Sequence, residues 1–178
     1  LGVKIDRDLV QGTITCTQTQ AIIKLAEACG ATGPGSAHRV PMAQGTLPRL
    51  SAAEVDTATC MNGKLSFRSV VGSLLFIALC TRPDIAAAVA VIARHSETPG
   101  ADHVRALQRI VGYLYRTRDL GVTYHRQGAT PTDTPILMQR AVHPLDPNQE
   151  KPLVTFSDAD YAGAFDRRST SGYAVFLH

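Results

Sequence analysis

Charged residues are scarce in this sequence: of its 178 residues, 19% are charged and 44% are hydrophobic. Such a composition excludes wholesale disorder and supplies enough apolar side chains for one or two small domains. The formal net charge is only +3. A polyanion is therefore a permitted partner, although the composition does not require one.

Closely spaced cysteines are absent. The cysteines lie at positions 16, 29, 60 and 80, too far apart in the sequence for the paired ligands of a zinc knuckle. A disulfide framework is typical of chains too small to build a core, which this chain is not. We therefore expect free thiols, buried as small hydrophobic side chains, in a reducing intracellular compartment.

Several other signals are also missing. No signal peptide is visible, and the chain opens at Leu1 rather than at Met, so we expect a piece of a longer polypeptide. The apolar stretch at 70–93 is interrupted at 81–84, and a bilayer span needs about 20 uninterrupted apolar residues, so we expect two buried helices and no membrane partner. The sequence contains neither a Gly-rich phosphate loop nor a Ser/His/Asp motif with recognisable spacing, so it does not indicate an independent hydrolase.

Apolar periodicity predicts an α+β chain. Strands are predicted at 2–5, 13–16 and 121–125, and helices at 17–29, 66–80, 83–96 and 101–117. Gly30 is the predicted stop of the first helix. Gly72 and Ser73 would let another backbone approach the second helix closely. Residues 31–64 are predicted to be irregular, with a short helix near 52–59, and the proline-rich residues 126–152 to be a linker.

The predicted helix at 101–117 has two different faces. At about 100° per residue, four apolar residues fall within about 80° of one another: Val104, Leu107, Val111 and Leu114. Three arginines and a glycine fall within about 60° on the opposite face: Arg105, Arg109, Gly112 and Arg116. Guanidinium groups suit phosphate oxygens, and the glycine would let a sugar–phosphate backbone approach. The alternative interpretation is an ordinary solvated face.

Arginine is the basic residue of this whole region. Residues 91–126 contain six arginines and no lysine, against three acidic residues. The histidines of the same region, His95, His103 and His125, are isolated in the sequence. We expect them to be surface or helix-capping residues.

A strand that delivers a carboxylate is predicted near the end of the sequence. β-forming residues at 153–157 lead into Asp158, and alternation along a strand would put Asp160 on the same face. Mg²⁺ prefers such hard oxygen ligands. A pair of turn-forming aspartates before Gly163 is the alternative. Residues 166–172 are predicted to form a polar turn, in which Arg167 and Arg168 could grip phosphates or simply be solvated.

Four segments have specific motifs. In chain order they are Phe-Arg-Ser-Val-Val-Gly-Ser-Leu-Leu-Phe at 67–76, Cys-Thr-Arg-Pro-Asp-Ile-Ala at 80–86, Arg-Thr-Arg-Asp-Leu-Gly at 116–121, and Ser-Asp-Ala-Asp-Tyr-Ala-Gly at 157–163 with Asp-Arg-Arg-Ser-Thr-Ser-Gly-Tyr at 166–173. Together they resemble copia-type retrotransposon polyproteins, at the junction of reverse transcriptase and RNase H. The resemblance covers nearly the whole chain, more loosely at 31–60 and 126–150. The family often has Trp where this chain has Tyr161.

The resemblance implies a domain organisation. Residues 1–16 would end the polymerase palm, and 17–125 would form a helical thumb and connection that holds an RNA–DNA hybrid or primer–template. Residues 126–152 would be a linker, and 153–178 would be the first hairpin of a truncated RNase H-like fold. Asp158 maps onto the family's first metal-binding aspartate. The family also implies Mg²⁺ as cofactor, the remaining polyprotein segments as partners, and a cytoplasmic, virus-like-particle location.

The same resemblance implies an incomplete catalytic apparatus. RNase H chemistry uses two Mg²⁺ ions about 4 Å apart, which one aspartate cannot hold. The polymerase carboxylates would lie before Leu1 and the other RNase H carboxylates after His178. We therefore expect this polypeptide alone neither to polymerise nor to cleave, and to bind Mg²⁺ weakly or not at all. The alternative function is a non-catalytic helical module, derived from a decayed element, that binds nucleic acid or another partner.

Overall fold

The structure is a computed structural model that describes residues 2–33, 38–42, 65–126, 153–160 and 170–177. The chain mixes helices and sheet, which confirms the predicted α+β class. It divides into two compact units. One comprises Leu1–Asp8 and Ile14–Tyr124, and the other comprises Leu9–Thr13 and His125–His178.

Four α-helices and five β-strands make up the described residues. Their order is β1 (Lys4–Asp8), β2 (Thr13–Thr17), α1 (Thr19–Ala28), α2 (Phe67–Cys80), α3 (Ala86–Ala93), α4 (Ala101–Arg116), β3 (Val122–His125), β4 (Leu153–Asp160) and β5 (Thr170–Leu177). A 3₁₀ turn at Pro83–Ile85 precedes α3. The predicted break at 81–84 is therefore confirmed, and no helix within the described ranges is long and apolar enough to cross a bilayer.

The first three strands form an antiparallel sheet in the order β1-β2-β3. The hydroxyl groups of Thr15 and Thr123 lie 3.0 Å apart in a hydrogen bond between β2 and β3. The first strand was predicted at 2–5, but it lies at Lys4–Asp8. The predicted bounds were wrong because all five residues of β1 are exposed, so the sequence has no apolar alternation that marks the strand.

Helix α1 ends as the sequence predicts. Gly30 has φ of +66°, which a glycine adopts without strain. Its N–H donates to Glu27 O at 3.2 Å, and the N–H of Ala31 donates to Ala26 O at 2.8 Å. These two bonds form a Schellman motif, and they satisfy carbonyl groups that the end of a helix otherwise leaves unpaired.

The core is built from apolar faces of the four helices and the 3₁₀ turn. Its largest fully buried apolar side chains are Phe67, Ile22, Leu74, Ile77, Ile85, Ile92, Leu107, Ile110 and Leu114. Gly72 does not serve a close helix contact as expected, because it is exposed and a Cβ there would meet no atom within 4 Å. Of the described cysteines, Cys29 is buried, Cys16 is half-buried and Cys80 is exposed, so the predicted burial as small hydrophobic side chains is confirmed only for Cys29.

The last two strands form a separate two-stranded antiparallel sheet. Leu153 lies opposite Leu177, and Asp160 lies opposite Thr170. The predicted hairpin is thus confirmed, but the predicted turn at 166–172 is too long at its end. Residues 170–172 belong to β5, where they pair with β4. The predicted linker at 126–152 and helix near 52–59 lie outside the described residues, except for Arg126.

Candidate nucleic-acid interface on helix α4

Helix α4 packs one face into the core, and its apolar spacing explains which face. Its buried residues are His103, Leu107, Ile110, Val111, Gly112 and Leu114, and Val104 is partly buried. The predicted apolar face is therefore confirmed and gains Ile110 and His103. Gly112 was predicted to lie between the arginines on the solvent side, and this was wrong. Because Gly112 is buried, it offers no approach for a sugar–phosphate backbone.

The three arginines of the opposite face differ in their surroundings. Arg105 is exposed and forms an ion pair with Asp102, one turn earlier on the helix. Arg109 is half-buried, and its Nε donates to Val40 O at 3.3 Å. The side chain of Arg116 is exposed and forms no hydrogen bond or ion pair with another described residue. Helical spacing keeps all three on one side of α4, but each offers phosphate a different share of its guanidinium group.

A second segment adds basic groups beside α4. The bond from Arg109 to Val40 holds residues 38–42 against the helix. This segment carries the exposed Arg39, and burial together with the nearby charge of Arg109 lowers the pKa of His38. No local sequence pattern predicts this contact, since 69 residues separate Val40 from Arg109.

The beginning of α4 is held by a buried histidine. Gly100 is the N-cap residue, and its N–H donates to His103 Nδ1 at 2.8 Å. The His103 ring is 0% exposed and stacks on the His95 ring, with 4.1 Å between centroids. His103 was thus correctly predicted as a possible cap, but it is neither isolated nor on the surface. His95 is half-buried, and His125 is exposed.

Protonation of His103 is disfavoured by its surroundings. Burial lowers its pKa first, and the neighbouring His95 lowers it further, while Asp102 acts in the opposite direction. The bond from Gly100 requires an unprotonated Nδ1, which places the proton of the neutral ring on Nε2. Nε2 is buried and has no hydrogen-bond partner within the part of the chain that the structure describes.

The end of α4 is held by Arg82, a charged residue that is only 1% exposed. Its Nε and Nη2 donate to the two carboxylate oxygens of Asp84, at 2.9 and 2.7 Å. Its Nη1 donates to Thr117 O at 2.8 Å, and Nη2 also donates to Thr117 Oγ1 at 2.7 Å. The guanidinium carbon lies 5.5 Å from the centroid of the Tyr113 ring. Arg82 therefore joins the turn before α3 to the C-terminal end of α4.

The acid of this cluster stays ionised. Burial raises the pKa of Asp84, but hydrogen bonds from Arg82 and Tyr113 and the positive charge of Arg82 lower it by more, so the net shift is downward. Tyr113 Oη donates to Asp84 Oδ2 at 2.7 Å. Burial, that bond and the charge of Asp84 raise the pKa of Tyr113. The cluster is thus a neutralised set of three side chains rather than a reactive acid–base pair.

Further contacts fix the segment that follows α4. Thr19 Oγ1 donates to Arg118 O at 3.1 Å, which ties α1 to this segment. A Cβ on Gly121 would overlap Cys16 O, so only glycine fits beside β2. The buried Thr81 donates its hydroxyl to Gln18 Oε1 at 2.8 Å. The motifs at 80–86 and 116–121 therefore form the contacts between α1, the turn before α3 and the end of α4.

The predicted metal ligand lies elsewhere in the chain. Asp158 is in β4 opposite Gly172, and the strand includes Asp160, as the strand interpretation requires. Arg167 and Arg168 lie outside the described residues. Within the described ranges, no three His, Cys, Asp or Glu side chains come together to hold a metal ion.

Comparison with known proteins relates the chain to polyproteins of mobile elements. It is 35% identical over 111 residues, 62% of its length, to the retrovirus-related Pol polyprotein from transposon TNT 1-94 of Nicotiana tabacum. It is 33% identical over 138 residues, 77% of its length, to that from transposon RE2 of Arabidopsis thaliana. It is also 35% identical over 113 residues, 63% of its length, to a secreted RxLR effector protein, number 161, of Plasmopara viticola.

The relatives are longer than the matched region. The alignments span 7% and 8% of the two polyproteins and 65% of the effector protein. No protein-family model and no solved structure matches the chain. The similarity to several transposon polyproteins supports an origin of the chain in a retrotransposon polyprotein.

Proposed function

We propose that the chain is a segment of a copia-type reverse transcriptase and RNase H, and that its own activity is to bind an RNA–DNA hybrid or primer–template. The observation that carries this proposal is the outward face of α4, where Arg105, Arg109 and Arg116 follow one another at helical spacing. Such a row of guanidinium groups fits the phosphates of a nucleic-acid backbone. The similarity to transposon Pol polyproteins supports the choice of nucleic acid.

The guanidinium groups of two of these arginines each make one contact with a described residue and keep further N–H groups for a ligand. The ion pair with Asp102 and the bond to Val40 orient Arg105 and Arg109, while their remaining N–H groups are left for phosphate. Arg39 is exposed and adjoins Val40 in the sequence, so it would add a further guanidinium group beside Arg109. Because guanidinium contacts to phosphate carry no base information, we propose that binding depends on backbone charge and duplex geometry rather than on sequence.

In this proposal, residues 17–125 are the thumb and connection, and β4 and β5 are the first hairpin of the RNase H fold. Asp158 would be the first ligand for Mg²⁺ in the complete site, which would use the metal to activate water. The oxygen-donor chemistry of Asp158 and Asp160 in β4 fits that ion. We assign binding rather than catalysis to these 178 residues, and we place the parent polyprotein in the cytoplasm.

The test is a salt titration of the affinity for a fluorescent RNA–DNA hybrid, measured by anisotropy. Each phosphate contact contributes about one unit to the slope of log K against log salt. Arg116→Ala is expected to weaken binding and reduce this slope by about one unit. Arg105→Ala is expected to weaken binding more, because it also leaves the Asp102 carboxylate unpaired on the binding face.

Arg68→Ala is the matched control, since it removes an equally exposed arginine from α2. It is expected to leave the slope unchanged. An affinity loss in Arg68→Ala equal to that in Arg116→Ala would show that only net charge matters, and would refute the α4 interface. Absence of binding to hybrid at low salt would refute the proposed function itself.

A second candidate is a non-catalytic interaction module retained from a decayed element. The observation in its favour is the similarity to a protein named as a secreted effector. The alignment covers a larger share of that protein than of either polyprotein. The same titration separates the two candidates. A folded chain with no affinity for hybrid, single strands or DNA duplex would favour this second function.

A further inference from the structure

The first turn of α4 depends on an imidazole that must be neutral. His103 is fully buried, and its Nδ1 accepts the N–H of the N-cap residue Gly100. In return, the carbonyl oxygen of Gly100 accepts the N–H groups of His103 and Val104, at 3.0 and 3.2 Å. The side chain therefore takes the part that a glutamate or glutamine has at the third position of a capping box.

Protonation removes this cap and adds a second penalty. A protonated ring has two N–H donors and no acceptor, so the bond from Gly100 is lost. The resulting cation would lie at the N-terminal end of α4, where the helix dipole disfavours positive charge. It would also be buried, with no partner for Nε2 among the described residues.

The groups around His103 strengthen this dependence. From the segment after α3, the His95 ring stacks on it and disfavours the protonated form of His103. On α4 itself, Asp102 favours the charged form, but this carboxylate is already paired with Arg105. Burial and His95 together outweigh Asp102.

We propose that His103 makes the N-terminal turn of α4 a pH-sensitive element, closed with a neutral ring and opened by its protonation. The proposal is independent of the function proposed above, since it concerns only the fold of α4. One consequence reaches the arginine surface, because the turn that opens contains the Asp102–Arg105 pair.

The sign of the pH dependence follows from linkage. A histidine whose pKa is lower in the folded than in the unfolded state stabilises the fold above the unfolded-state value of about 6.5. That stability is lost as the pH falls from there toward the folded-state pKa. If only the unfolded state takes up the proton, the folding equilibrium constant falls about tenfold between pH 7.5 and pH 5.5.

The experiment measures urea unfolding of the full chain at both pH values for the wild type and His103→Gln. Glutamine keeps an acceptor for the N-cap N–H and does not titrate. His103→Gln is therefore expected to lose most of the tenfold change. His125→Gln, which removes an exposed ring, is the matched control and should keep it. His38→Gln measures the share of the second histidine whose pKa is lowered.

A direct titration keeps the proposal testable if His103→Gln does not fold. The ¹H–¹³C signals of the His103 ring in the wild type should titrate below the value of about 6.5 of an unfolded chain. The protection factors of the amides of residues 103 and 104, which correct for the intrinsic pH dependence of exchange, should fall as the pH is lowered over the same range. The proposal is overturned if the ring titrates at or above that value, or if His103→Gln retains the full pH dependence of the wild type.

Discussion

Replacing Arg82 by alanine tests whether a buried arginine holds the end of α4. Hydrogen bonds from a charged donor contribute about 1.5–3 kcal/mol each, and Arg82 makes two to Thr117. Taking the lower value, because Thr117 is half-buried, gives about 3 kcal/mol. Asp84 adds less than about 1 kcal/mol, since its side chain is 37% exposed and water replaces part of the lost charge interaction.

We therefore expect Arg82→Ala to lower the free energy of unfolding by about 3–4 kcal/mol, a large share of the stability of an ordinary domain. Arg82→Lys keeps the charge but loses the planar fork, which makes bonds to two residues at once. It should recover less than half of the loss. Arg68→Ala removes an exposed arginine from α2 and should change stability by no more than about 0.5 kcal/mol.

Urea unfolding followed by far-ultraviolet circular dichroism measures these differences at neutral pH. Hydrogen exchange at the amide of Thr117, which donates to Tyr113 O at 3.0 Å, reports the end of α4 directly. Two outcomes would refute the reasoning. One is a loss below about 1 kcal/mol in Arg82→Ala. The other is full stability in Arg82→Lys, which would show that charge alone suffices.

Three further predictions concern single contacts. Gly121→Ala should destabilise the fold by about 3 kcal/mol, because its Cβ would overlap Cys16 O. Gly72→Ala, where a Cβ on α2 meets no atom within 4 Å, should instead stabilise the fold by up to about 1 kcal/mol. Thermal unfolding of both variants checks this contrast. Ser66→Ala removes the cap bond that α2 receives at 3.2 Å and should cost about 1 kcal/mol in urea unfolding. Asp84 has a lowered pKa, so it stabilises the fold above the unfolded-state value of about 3.9 and loses this effect as the pH falls; Asp84→Asn should flatten that part of an acid titration followed by circular dichroism.

Local chemistry was enough to predict most helices and their ends. The apolar spacing in α4 identified its packed face, and Gly30 identified the end of α1. The Thr-Arg-Pro-Asp break between α2 and α3 followed from the position of Pro83. Each of these signals lies within a few residues of the feature that it predicts.

Long-range contacts were not predictable in the same way. Arg82 follows a polar pattern typical of an exposed turn, and its partner Thr117 lies 35 residues away. Gly112 has the angular position of a solvent-facing residue, yet it is buried. The stacking of His95 on His103 is a further contact that no sequence pattern around either residue predicts. The burial of Arg82 therefore depends on a contact with a segment distant in sequence, which periodicity does not detect.

The two ends of α4 show which side chains place this helix in the fold. A buried side chain fixes each end: His103 caps the beginning, and Arg82 from the turn before α3 holds the carbonyl and hydroxyl of Thr117 at the end. His103 and Arg82 are separate from the row of Arg105, Arg109 and Arg116. Among the described residues, this row makes the ion pair of Arg105 with Asp102 and the bond of Arg109 to Val40. The polar contacts that place the helix are therefore made mostly by residues that a bound phosphate backbone would not touch. The outward arginines can change without loss of the fold.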